Sequence, residues 1–84
     1  MTTYDFTVML GGQGELTPEL ADRLFAAGCD DGTPSQRAGI VHIGFSREAA
    51  NLESAIRSAI ADIAKASCVV TRVEIEADAA LLRA

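Results

Sequence analysis

Tryptophan is missing from this chain of 84 residues, histidine occurs once, cysteine and proline twice each, and no apolar run exceeds four residues, the length reached at 24–27 and 79–82. A membrane helix needs about 20 consecutive apolar residues, so none is expected, and the amino-terminal residues lack the basic-then-apolar order of a signal peptide. One histidine and two separated cysteines do not make up a zinc ligand set, and two cysteines are too few for a secreted disulfide scaffold. Cations are scarce as well: 7 Lys and Arg stand against 12 Asp and Glu, a net charge of −5. Sequence-independent affinity for nucleic acid comes from Lys and Arg neutralising phosphates, so direct nucleic-acid binding is not expected. Aromatic residues are limited to Tyr4, Phe6, Phe25 and Phe45. A core must therefore come from Leu, Ile, Val and many alanines, which favours close approach of helix to sheet.

What is present is a strand-like run followed by a helix-like run, twice over. Tyr4, Phe6, Val8 and Leu10 alternate with Asp5, Thr7 and Met9, which reads as a strand over 3–10 with one buried side. Thr17-Pro18-Glu19 supplies an N-cap, a first-turn proline and an early acid for a helix over 18–27, with Gly28 as its left-handed C-cap. Residues 29–35 are polar and broken by Gly32 and Pro34, so a strand there is expected to be short and at an edge. Over 39–45, Val41, Ile43 and Phe45 face inward and Ile40, His42 and Gly44 outward. Residues 46–51 read as a connector in which Asn51 caps a second helix, 52–66, whose stripe is Leu52, Ala55, Ile56, Ala59, Ile60, Ile63 and Ala66. Ile60 is expected to anchor the core. A last strand, 68–76, is read with Val69, Thr71, Val73 and Ile75 inward and Val70, Arg72, Glu74 and Glu76 outward.

This order predicts an α+β fold, a ferredoxin-like βαββαβ sandwich spanning 1–84 as one domain. It has an antiparallel four-stranded sheet of order 4-1-3-2 and two helices on one face. At this length a single domain hides only about 60–65% of the surface its unfolded chain exposes. Cys29 and Cys68 each follow a helix and lead into opposite edge strands. Three strand spacings put them roughly 14 Å apart, beyond reach of a disulfide, so both are expected to be buried, reduced thiols in a cytoplasmic protein.

Candidate chemistry is sparse. The segment Gly11-Gly12-Gln13-Gly14 lies between a strand and a helix start, where backbone amides can hold a small ligand. It lacks the Lys-Ser/Thr ending of a P-loop, and Glu15 and Glu19 repel phosphate. Asp30-Asp31 reads as a solvated turn rather than a metal site, because neighbouring residues on a strand face opposite ways. His42 is expected beside Thr7 or Met9 on the outer face, with no nucleophile next to it. That outer face carries Met9, Ile40, Gly44 and Val70 among Asp5, Thr7, His42, Arg72 and Glu74, with no helix left to cover it. RNA-binding sheets of this topology use aromatics there, and this one has none. Residues 77–84 offer at most one helical turn, whose Leu81 and Leu82 have no interior to enter.

Two short segments, Ala27-Gly28-Cys29-Asp30-Asp31 and Phe45-Ser46-Arg47-Glu48-Ala49, together with the helix Ser54-Ala55-Ile56 to Ile63 and Arg72-Val73-Glu74, give the chain a likeness to a known group. It resembles the split-βαβ N-terminal domain of small bacterial transcription regulators and antitoxin-type proteins. In them this domain leads into a helix-turn-helix, which Leu81-Leu82-Arg83-Ala84 does not match. The resemblance implies a sensing, partner-binding or dimerising domain. A non-enzymatic regulatory or protein-interaction module is thus expected, without cofactor or metal, self-associating through the outer face or an edge strand. Met9, Ile40, His42, Val70, Arg72, Leu81 and Leu82 are its candidate contacts, and a protein partner is the other expected contact. The alternative is a small-ligand sensor similar to the ACT domains, using Gly11 to Gly14. An enzyme would have to work with His42, Asp5 and Arg72 alone.

Overall fold

The computed structural model describes residues 2–12 and 15–75. Six elements follow one another: β1 (Thr2–Gly11), α1 (Pro18–Ala27), β2 (Gly32–Arg37), β3 (Ile40–Ala49), α2 (Leu52–Lys65) and β4 (Val69–Ile75). The strands form one antiparallel sheet of order β2-β3-β1-β4, the ferredoxin-like arrangement expected.

Local chemistry sets both helix starts. Thr17 Oγ1 accepts from the Leu20 amide at 3.2 Å with Pro18 in the first turn, and Asn51 Oδ1 accepts from the Ser54 amide at 2.8 Å. Each cap satisfies an amide that has no partner within its own helix. Both helices also stop in the same way. At α1 the Cys29 amide donates to the Leu24 carbonyl and the Gly28 amide to that of Phe25; at α2 Cys68 donates to Ile63 and Ser67 to Ala64. These paired bonds close a Schellman turn, whose penultimate residue is left-handed. Gly28 has φ 117° and Ser67 has φ 63°.

The core lies between the sheet's inner face and the helices. Phe6, Val8 and Leu10 of β1 and Val41, Ile43 and Phe45 of β3 are buried, and the Phe6 and Phe45 rings stack with centroids 5.3 Å apart. From α2 the fully buried residues are Ala55, Ala59 and Ile63, spaced four apart, while Leu52 and Ile56 pack at the margin. Ile60 is 37% exposed and not the anchor its periodicity suggests. One position beyond Ala59 is about 100° around the helix, enough to carry a side chain from the contact line to the rim. Phe25 of α1 is also largely exposed.

Three strands differ from the sequence reading. β2, expected over 29–35, spans Gly32–Arg37, because residues 29–31 are taken up by the turn that leaves α1. β3 does not stop at Phe45 but runs to Ala49, and its alternation continues through buried Arg47 and Ala49. On β4 the pairing passes from Met9↔Arg72 to Leu10↔Val70, so Thr71 is an extra residue in a β-bulge. A bulge reverses the facing of everything beyond it. Val70 therefore packs against the core, whereas Val69, opposite Gly11, is 64% exposed. The expected outward Val70 and inward Val69 are exchanged, and Thr71 turns outward, its methyl occupying the space where a side chain at Gly11 would lie.

Candidate functional site

The most organised polar cluster lies where the two short segments Ala27–Asp31 and Phe45–Ala49 meet. The inward register of β3 drives Arg47 into the layer between sheet and helices, where only charge partners make a guanidinium tolerable. The Gly28–Asp31 turn and α2 supply them. Arg47 Nε and Nη2 donate to the two carboxylate oxygens of Asp31, each at 2.8 Å, and Nη2 also donates to the Gly28 carbonyl at 2.9 Å. Nη1 donates to Ser58 Oγ at 3.1 Å and lies 3.0 Å from Asp62 Oδ2. The guanidinium carbon sits 5.0 Å from the centre of the Phe45 ring, a cation–π contact.

Five contacts match the five N–H donors a guanidinium has, so Arg47 keeps none for a ligand. The forked hydrogen bond from Arg47 holds the Asp31 carboxyl below its ordinary pKa, and the same bond raises that of Arg47. Asp31 is thus not the solvated turn residue expected from Asp30-Asp31; it is one jaw of a clamp. Sequence reasoning missed Arg47, although a signal was available: it occupies the same parity as Val41, Ile43 and Phe45.

Cys29 and Cys68 are both buried free thiols, as expected. Burial pushes the Cys29 thiol up to about 11, with Asp62 adding to the effect and Arg47 opposing it. A thiol so protonated at neutral pH is a poor nucleophile. Cys68 Sγ lies 3.6 Å from the Ala66 carbonyl and 3.9 Å from Arg23 Nη2.

The outer face can be laid out from the strand register. Met9 sits opposite His42 on one side and Arg72 on the other; Thr7 sits between Gly44 and Glu74; Ser35 and Thr33 of β2 complete the two rows. Two positions from His42 along β3 is Ile40, 45% exposed, and two from Met9 along β1 is Gly11, whose partner is Val69. Apolar groups therefore gather at one end of the face as Met9, Ile40 and Val69. Hydroxyls and charges fill the rest, where a hollow of about 440 Å³ opens over Gly44. Arg72 and Glu74 pair at 3.4 Å, and Ser46 donates to Asp5 at 2.6 Å. His42 lies beside Met9 as read, its Nδ1 2.9 Å from the Ile40 carbonyl. That contact engages no acid or nucleophile.

Of the glycine segment, Gly11 is the last residue of β1 and pairs with Val69, so it is strand rather than loop. Gly12 is exposed with φ 74°, while Gln13 and Gly14 fall outside the described residues, as do Leu81 and Leu82. Among the described residues no three His, Cys, Asp or Glu side chains are grouped to hold a metal ion, and no helix is long and apolar enough to cross a membrane. Comparison with family models, with curated proteins and with solved structures finds no match in any of the three.

Proposed function

We propose that the protein is a non-enzymatic regulatory module that acts through protein contact and self-association, in the manner implied by its resemblance to the N-terminal domains of bacterial regulators and antitoxin-type proteins. The observation that carries this reading is the sheet face that nothing among the described residues covers, with Met9, Ile40 and Val69 clustered at one end. A sheet with helices on one side only leaves a second face for a partner, and apolar residues grouped there mark a contact surface. The chemistry-bearing groups support the same view. Arg47 is saturated, Cys29 is held protonated, and His42 is bonded to its own strand. Two buried free thiols suit a reducing compartment such as the cytoplasm.

Sedimentation velocity over a micromolar concentration series tests the reading. Species at twice the 8.8 kDa chain mass or more are expected. A single species at the chain mass throughout the series would refute self-association.

A further inference from the structure

The two edges of the sheet differ in kind. β2 carries Pro34, which has no amide hydrogen to offer a new strand, and its remaining residues are glycine, hydroxyls, Gln36 and Arg37. β4 reads Val-Val-Thr-Arg-Val-Glu-Ile, five of seven residues β-branched and none of them Pro or Gly. Among the described residues β4 pairs with β1 alone, so one side of its backbone faces no strand. Its inward Ile75, paired with buried Phe6, is nonetheless 52% exposed. Apart from the bulge at Thr71, an edge of this composition is a template for strand addition, with Arg72 and Glu74 limiting which strand it accepts.

Resting on the self-association reading above, we infer that β4 is the contact and that its occupant is β4 of a second copy, antiparallel, with a two-fold axis at Val73. Charge selects the occupant and the register together. In antiparallel pairing, residues directly opposite share a face, so a two-fold on this strand must pass through a residue or match others of equal parity. An axis at Arg72 would set two guanidinium groups against each other, and one at Glu74 two carboxylates. At Val73, Arg72 of each copy stands opposite Glu74 of the other, on the outer face, twice. The pair already formed within each chain at 3.4 Å then becomes an alternating ring of four charges. On the inner face the two Val73 side chains meet, and each Ile75 stands opposite the bulge residue Thr71 of the partner copy, whose side chain is turned to the outer face. Opposite charges directly across a strand pair are favourable and like charges unfavourable, which is what makes this register specific. The product is a continuous eight-stranded sheet, with the Met9, Ile40 and Val69 cluster of each copy left open for another protein.

Charge reversal tests the register on the full chain. Arg72→Glu and Glu74→Arg, each alone, should raise the dimer dissociation constant roughly tenfold or more, because each sets like charges across the axis twice. The double variant Arg72→Glu/Glu74→Arg restores opposite charges and should return to within about threefold of wild type. Circular dichroism of each variant confirms that the monomer remains folded, and amide hydrogen exchange read across the concentration series should show protection of β4 growing with dimer. A wild type that stays monomeric overturns this inference together with the proposed function. Protection of β4 in a monomer, independent of concentration, means that the chain covers its own edge and overturns it as well. A dimer whose dissociation constant ignores all three variants, but which Val69→Glu disrupts, overturns the edge assignment alone and moves the contact to the outer face.

Discussion

The two helices leave by the same Schellman turn into a buried cysteine, yet one exit is tied down and the other stands alone. At α1 the turn residue is Gly28, whose carbonyl accepts from Arg47 and whose α-carbon faces Asp62; a β-carbon there would lie 2.8 Å from that carboxylate. At α2 the turn residue is Ser67, exposed, holding φ 63° with a side chain attached. Left-handed backbone costs a side-chain-bearing residue roughly 1–2 kcal/mol. Glycine is thus spent where space and conformation are both demanding, and serine is tolerated where conformation alone is at stake. The difference is set by Arg47, because the guanidinium holds Asp62 against the first exit and nothing comparable crowds the second.

Removing the tie should have the largest effect. Arg47→Met keeps the length of the side chain but leaves Asp31 without its cation and Asp62 with the exposed Lys65 alone, at 3.6 Å, and breaking a buried pair from one side costs about 3–5 kcal/mol. For a domain this small that is a large share of its total stability. Chemical denaturation at neutral pH should show the loss, with the Ser67 exit unaltered in structure.

A smaller effect is expected from the acid partner. Asp31→Asn gives up hydrogen bonds from a charged donor, worth about 1.5–3 kcal/mol, at the lower end because Asp31 is partly open to solvent. Acid should reproduce it. The Asp31 carboxyl is held below 3.8 in the folded protein, so the unfolded chain takes up its proton first. The stabilisation is complete above about pH 4 and is withdrawn as pH falls through the folded value. Denaturation midpoints for wild type and Asp31→Asn should converge over that acid range, and parallel lines down to pH 2 would show that Asp31 is not the group responsible.

The exits themselves give the finest comparison. Gly28→Ala meets both the backbone penalty and the Asp62 carboxylate and should cost about 1–3 kcal/mol. Ser67→Gly relieves strain without any packing loss and should gain about 0.5–1 kcal/mol. Thermal melts of the two variants should move in opposite directions; equal shifts of the same sign would show that the exits are not differently constrained.

What was legible in the sequence was local. The α1 boundaries follow from Thr17, Pro18 and Gly28, and the start of α2 from Asn51, because caps act within one turn. Inward Val41, Ile43 and Phe45 followed from alternation. The strand order came from the fold class those elements imply. Illegible were features decided by distant residues. Arg47 was read only as part of the 46–51 connector because the acids that hold it are 16 and 15 positions away, at Asp31 and Asp62. The Thr71 bulge depends on how β4 fits β1, and one inserted residue exchanged Val69 with Val70 among the candidate contacts. The turn between β2 and β3 went unrecognised for a different reason. Ala38 and Gly39 take φ of 53° and 78°, a two-residue reversal usually announced by Asn-Gly, and alanine hides it.

The clamp around Arg47 also decides how the β2–β3 hairpin moves. Its base is stitched to both helices through Asp31, Gly28, Ser58 and Asp62, and the Ser46 amide adds a bond to the Asp31 carbonyl at 3.2 Å. Its tip, at Ala38 and Gly39, is exposed and strained. A hairpin clamped at its base and held nearer its tip by a side-chain bond, from the Leu16 amide to Gln36 Oε1 at 3.0 Å, frays in one direction, like a zip with its stop at the bottom. Opening that begins at the tip must run the full length of β2 before it reaches the clamp, and it can cross the clamp only by releasing α2 as well. The outer half of the hairpin then belongs to the low-energy, local openings of the protein, whereas its base opens only with the whole fold.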